Sequence, residues 1–103
     1  IFIADVIKFN VNRGWHDCAE FLDLIECHSN WSQEKKAVRF YEMLFELKSK
    51  LNIPQYLTQW GITANNVESV AQHMLPLQAA FNQNPVAFSA ERDAFEMLKL
   101  HVE

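Results

Sequence analysis

Between Ser32 and Pro54 the chain keeps one apolar face at the period of an α-helix, with a stop signal at either end. Ala37, Phe40, Tyr41, Leu44, Leu47 and Leu51 fall on one side, while Lys35, Arg39, Glu42, Glu46 and Lys50 fall on the other. Val38, Met43 and Phe45 widen the apolar stripe on both flanks, so this helix needs neighbours on more than one side, as in a bundle. Ser32 can cap its start by accepting a backbone N–H. Ile53-Pro54 stops it, because a residue before proline is pushed out of the α region. Glu46 and Lys50 are spaced as a favourable i,i+4 ion pair.

The other segments carry the same grammar. Phe2, Ile3, Val6, Ile7 and Phe9 surround most of a helix over residues 1–9, relieved by Asp5 and Lys8, which reads as a buried helix broken between Asn10 and Gly14. Residues 17–27 read as a second helix with Cys18, Phe21, Leu22 and Ile25 on one stripe. Gly61 supplies a turn with positive φ. Val67, Val70, Ala71, Met74 and Leu75 then follow helical spacing up to Pro76, which ends or kinks the helix. Asn82 to Pro85 form a loop, and Ser89 caps a last helix lined by Ala94, Phe95, Leu98 and Val102, with Glu91 and Asp93 in its first turn. There is no sustained strand alternation and no internal repeat. With two Gly, three Pro and no Gly/Ser-rich linker, residues 1–103 read as a single all-α segment, a helical bundle of about five helices.

Charge and cysteine content narrow the function classes. The net charge is −4, and Lys35, Lys36 and Arg39 interleave with Glu34 and Glu42, so no basic face is offered to nucleic acid. The longest apolar run, Ile1–Ala4, is far short of the ~20 residues that span a bilayer. Cys18 and Cys27 are nine residues apart; in one helix they would lie on opposite faces, ~13 Å apart along the axis, which excludes a disulfide. Two thiols without a disulfide framework indicate a cytoplasmic setting.

Chemistry-bearing residues are few. His16, Cys18, Cys27 and His28 lack the tight Cys-x₂₋₄-Cys or His-x₃₋₅-His spacing of a zinc site and read as core thiols and surface imidazoles. Asp17 with Glu20, and Glu42 with Glu46, fall on solvent faces. His73 reads as exposed, and His101 as a last-turn residue favoured by the helix dipole. Trp15, Trp31 and Trp60 sit at helix junctions, where indoles plug core edges. No Ser or Cys has a placed His and acid beside it. The residues by themselves name no catalytic, cofactor or metal-binding side chain.

Three blocks nevertheless follow a recognisable order. The chain opens with Ile1-Phe2-Ile3-Ala4-Asp5-Val6-Ile7-Lys8-Phe9-Asn10; its middle has Ile53-Pro54-x-x-Leu57-x-x-x-Gly61-Ile62 leading to Val67 and Val70-Ala71; its end has Asn84-Pro85-x-x-x-Ser89-x-Glu91. This succession resembles the C-terminal helical region of the iron-dependent (group III) alcohol dehydrogenases, part of the dehydroquinate synthase-like helical domain. Ala4 stands where that family usually has Pro, and Asn82-Gln83 where it often has glycines.

The resemblance implies a parent oxidoreductase that moves hydride between an alcohol or aldehyde and NAD(P). It implies a divalent metal, iron or zinc, acting as Lewis acid on the substrate oxygen. It places the last metal histidine, in a His-Gly-x-x-Asn-Ala motif, just upstream of Ile1, with the cofactor domain further upstream. The expectation is therefore a C-terminal fragment, inactive alone. It would have no catalytic, cofactor or metal residues of its own, and its loop at Ala80, Phe81 and Asn82 would form part of the substrate-pocket wall. Its partners would be the missing N-terminal part and a small alcohol or aldehyde, with a homodimer left open. The competing reading, from the residues alone, is a stand-alone helical interaction module whose apolar faces bind a partner helix.

Overall fold

The computed structural model describes all 103 residues, and every regular element in it is helical. The α segments are α1 (Ile3–Asn12), α2 (Ala19–Asp23), α3 (Gln33–Lys50), α4 (Val67–Gln72), α5 (Gln78–Phe81) and α6 (Asp93–Lys99). Single 3₁₀ turns lie at Leu57–Trp60 and Leu75–Leu77. No helix is long and apolar enough to cross a membrane. The chain divides into two units, Ile1–Ile53 and Pro54–Glu103, joined without the flexible linker composition that would have marked a boundary.

In the first unit α1 and α2 both pack against α3. The packed centre is made of small side chains: Val11, Cys18, Ala19 and Ala37 are buried, and Ile7, Trp15, Val38, Phe40 and Tyr41 close around them. Alanine and cysteine at the crossing let the backbones approach, and the larger rings fill the flanks. Phe21 meets Phe40 at 5.7 Å, and Tyr41 meets Phe45 edge-on at 6.4 Å. Such ring pairs contribute roughly 0.5–1.5 kcal/mol each beyond their area. Lys48 donates to the Ile1 carbonyl at 2.7 Å, which ties the start of the chain to the last turn of α3.

The start of α3 forms as its sequence requires. Ser32 has extended backbone angles, and its Oγ accepts the Lys35 N–H at 3.1 Å. Its end differs in mechanism. Asn52, with φ 55, turns left-handed two residues before Pro54. Ile53 N–H then reaches the Lys48 carbonyl at 3.1 Å, and Asn52 N–H reaches Ser49 at 3.1 Å. This paired closure, six residues to one and five to two, is a Schellman motif.

The same closure recurs at Gly14, where Trp15 N–H bonds Asn10 O at 3.0 Å and Gly14 N–H bonds Val11 O at 3.0 Å. It recurs at Gly61, where Ile62 N–H bonds Leu57 O at 3.3 Å and Gly61 N–H bonds Thr58 O at 2.9 Å. These three residues are the only ones with positive φ, and an apolar residue (Trp15, Ile53, Ile62) follows each.

Several sequence expectations are corrected. α1 runs on to Asn12: Asn10 is helical and only 2 % exposed, and Gly14 ends the helix. α1 is not buried all round, since Ile3 stands exposed while Asp5, expected to face water, is buried. The helix expected over 17–27 shrinks to Ala19–Asp23, and the chain to either side of it is held mostly by four-residue turns closed between residues three apart. So short a helix forms only where packing holds it, and Leu24 and Ile25 are left uncovered. Cys27 is thus outside the helix, so the opposite-face argument does not apply; Cys18 is buried, Cys27 exposed, and both are free thiols. Glu46 turns to Arg39 at 3.3 Å instead of to Lys50.

In the second unit α4 packs on α6, burying Val67 and Ala71 of one and Ala94, Met97 and Leu98 of the other. The stripe from Val67 to Leu75 is not one helix: α4 stops at Gln72, four residues before Pro76. The proline ring meets the carbonyl four residues back and offers it no N–H, so the helix ends there. Met97 belongs to this core although the sequence stripe omits it, and Val102 lies beyond the helix. Ser89 is not the N-cap of α6, which starts at Asp93 after Arg92: it closes the turn ahead of the helix, its Oγ accepting Arg92 N–H at 3.2 Å while Asp93 Oδ2 accepts Ser89 N–H at 2.8 Å.

Candidate functional site

The densest group of polar side chains lies where the connector after α2 meets the first half of α3. Ser32 sets the phase of α3, which puts Lys35 and Arg39 on consecutive turns of one side. The Arg39 guanidinium reaches Glu26 Oε1 at 3.0 Å and Glu46 Oε1 at 3.3 Å. Glu26 Oε2 in turn accepts from His28 Nε2 at 2.7 Å. The His28 ring lies flat on Trp31, 3.6 Å between centroids and 6° from parallel, and the Lys35 ammonium sits 4.4 Å from the Trp31 ring. Beside this group Lys36, which is buried, pairs with Asp23 at 2.8 Å.

The electrostatics follow from these bonds. The hydrogen bond from Arg39, and then the one from His28, hold the Glu26 carboxyl below the usual carboxylate range. Glu26 likewise pushes the Arg39 guanidinium upward. With one oxygen on Arg39 and the other on His28, Glu26 is kept ionised and fully engaged. The arrangement works as a brace that fastens residues 26–31 to α3. Sequence reasoning missed it because Glu26 and Arg39 are thirteen residues apart, and only the turn between the two helices brings them together.

The residues singled out from the sequence are dispersed. His16, Cys18, Cys27 and His28 do not assemble, and no three His, Cys, Asp or Glu residues converge as metal ligands. Burial pushes the Cys18 thiol up, with Asp17 adding to the effect against a lowering backbone hydrogen bond. Asp17 precedes α2 and Glu20 lies in its first turn, both exposed; Glu42 is exposed, and Glu46 serves Arg39. His73 is exposed as expected, its Nδ1–H bonded to the Ser69 carbonyl at 2.8 Å. His101 is the main correction: it is only 4 % exposed. Its Nδ1–H donates to Gln55 O at 2.7 Å, and its own carbonyl accepts Leu57 N–H at 2.9 Å, so it clamps the start of the second unit to the end. Trp15 and Trp31 are half-buried at junctions, while Trp60 is exposed.

Ala80, Phe81 and Asn82 fall on α5 and the turn after it. Phe81 packs on Phe88 at 5.1 Å, whereas Ala80 and Asn82 are exposed. The organising residue is Gln78, which the sequence did not single out. Its amide donates to Phe88 O and to Asn82 Oδ1, both at 2.8 Å, and its carbonyl accepts Ala90 N–H at 2.7 Å. One side chain therefore holds the 82–88 loop against α5. No periodic signal marks it, because two of its three partners are backbone groups of a non-helical segment.

The surface also shows apolar side chains that the first unit leaves largely open: Phe21, in spite of its contact with Phe40, is 55 % exposed, Leu24 84 % and Ile25 60 %. Comparison with known proteins finds no matching family model, no matching curated protein and no matching solved structure.

Proposed function

We propose that this chain is a helical, non-catalytic part of a metal-dependent, NAD(P)-linked alcohol dehydrogenase, docked against the portion of the enzyme that does the chemistry. The observation that carries the reading is the order and spacing of the three blocks from Ile1 to Glu91. In the structure the middle block spans the helix stops at Asn52–Ile53 and Gly61–Ile62, and the last leads into the Ser89 turn. The uncovered side chains of Phe21, Leu24 and Ile25 support a surface that works against further polypeptide.

In this reading the divalent metal, iron or zinc, and the nicotinamide belong to residues outside the chain. When bound, the metal would polarise the substrate oxygen and the nicotinamide would carry hydride. This chain would contribute packed helices and, through Ala80, Phe81 and Asn82, part of the wall facing a small alcohol or aldehyde. The enzyme would be cytoplasmic, with a homodimer compatible with the same surfaces. The second reading is a stand-alone helical interaction module, favoured by the exposed apolar side chains of α2 and the turn after it.

The deciding experiment expresses the longest product of the reading frame that contains this segment. NAD(P)-linked alcohol oxidation on adding Fe²⁺ or Zn²⁺ is expected of that product and not of the 103-residue chain alone. A product without turnover, and without a His-Gly-x-x-Asn-Ala stretch ahead of Ile1, would leave the interaction module as the reading.

A further inference from the structure

The apolar surface of α2 is wider than the unit can cover. Cys18, Ala19 and Leu22 face inward and are fully buried. Phe21, Leu24 and Ile25 continue the same apolar face around the backbone and point to water. The chain stays helical in hand through this stretch, with Leu24 N–H on Phe21 O at 3.2 Å and Ile25 N–H on Leu22 O at 2.9 Å. Steps of three and four residues on such a backbone place Leu24 and Ile25 beside Phe21, so the three side chains form one patch.

The segment that carries this patch has no basic side chain of its own other than its two histidines. From His16 to His28 there are four carboxylates and no Lys or Arg. Asp23 is neutralised by Lys36, and Glu26 by Arg39 and His28. Asp17 and Glu20 enter no ion pair. Glu20, in α2, lies one turn before Leu24, and Asp17 stands in the turn that leads into α2; both are exposed, so two uncommitted carboxylates share this short segment with the apolar triad. An apolar stripe flanked by acids is complementary to a stripe flanked by bases, and like charge turns away acidic partners.

We propose that Phe21, Leu24 and Ile25, with Asp17 and Glu20 on the same segment, form a docking surface for an amphipathic partner helix whose apolar stripe is flanked by Lys or Arg. The assignment rests on the docking half of the proposed function and is tested apart from it: turnover of a longer product says nothing about this patch. The partner's apolar residues cover the triad, and its cations take the two free carboxylates. A helix laid in a shallow apolar groove is read through such i, i+3, i+4 anchors.

The test titrates the isotope-labelled 103-residue chain with a Leu/Lys amphipathic peptide of about 18 residues, and with its Leu/Glu counterpart. Amide shifts are expected to cluster on residues 17–27. The dissociation constant should rise about tenfold or more in L24S/I25S and roughly threefold in D17N/E20Q, and stay unchanged in L75S/L77S, whose targets are also exposed. All the substituted side chains lie exposed, and helical circular dichroism checks that each variant still folds. Shifts centred on Leu75–Leu77, equal binding of both peptides, or undiminished binding by L24S/I25S would overturn the proposal. So would self-association abolished by L24S/I25S, which would make a second copy the occupant.

Discussion

Gly14→Ala isolates the cost of a left-handed helix end from every other effect. Gly14 has φ +91, and a Cβ built there meets nothing within 4 Å, so no packing term enters. An L-residue held in the left-handed region pays roughly 1–2 kcal/mol for its Cβ against the following carbonyl. Alanine also narrows the unfolded chain, which returns about 0.4–1 kcal/mol. The net expectation is a loss of about 1 kcal/mol, or roughly 4–8 °C in melting temperature for a unit of this size.

Reversing the chirality should reverse the sign. D-alanine at position 14, introduced by joining a synthetic 1–17 segment at Cys18, prefers positive φ and still restricts the unfolded chain. It should stabilise by about 0.4–1 kcal/mol. Urea unfolding followed by helical circular dichroism reads both variants, with Trp15 and Trp31 fluorescence reporting on the first unit. Gly61→Ala offers the same test in the second unit, since Gly61 also has open space around it at φ +79. A stabilising L-alanine at position 14, or a D-alanine that destabilises more than the L form, would refute the backbone account.

Two further outcomes can be checked. Gln78→Ala should cost about 1–3 kcal/mol, because the Ala90 N–H and the Phe88 carbonyl lose their partner together; hydrogen exchange at Ala90 should accelerate while the amides of α3 keep their protection. The Glu26 brace carries a pH signature whose sign follows from its lowered pKa. A carboxylate held below its unfolded value, about 4.3, stabilises above that pH and loses the contribution as pH falls through the folded value. The stability gap between the native chain and Arg39→Gln should therefore be flat from about pH 8 to 5 and shrink below about pH 4. A gap that widened on acidification would contradict the pairing.

Local chemistry was readable wherever a residue acts on its own neighbours. The Ser32 cap, the turn at Ser89, the positive φ of Gly61, the stop ahead of Pro76 and the loop from Asn82 to Pro85 all depend on groups within a few residues. The apolar stripe of α3 was equally plain, because eighteen residues sample five turns of the helical period. Shorter segments misled. Residues 17–27 have a helical stripe, yet only Ala19–Asp23 forms a helix, because Leu24 and Ile25 find nothing to pack on. The Asn52 closure could have been found, since Asn is the commonest substitute for Gly in a left-handed cap, but the proline two residues on was the louder signal.

By itself, then, the sequence determined that this chain is helical, where its longest helix lies, and which residues begin and end its turns. Those are consequences of backbone sterics and of hydrogen bonds that close over three to five residues. Only the tertiary structure decided that His101 is a buried clamp on Gln55 and Leu57, that Gln78 holds the 82–88 loop, and that Arg39 ties Glu26 to Glu46. It also decided which half of the apolar face of α2 is covered by its own unit. Each of these depends on groups brought together from distant positions, and periodicity along a chain carries no information about which distant faces meet.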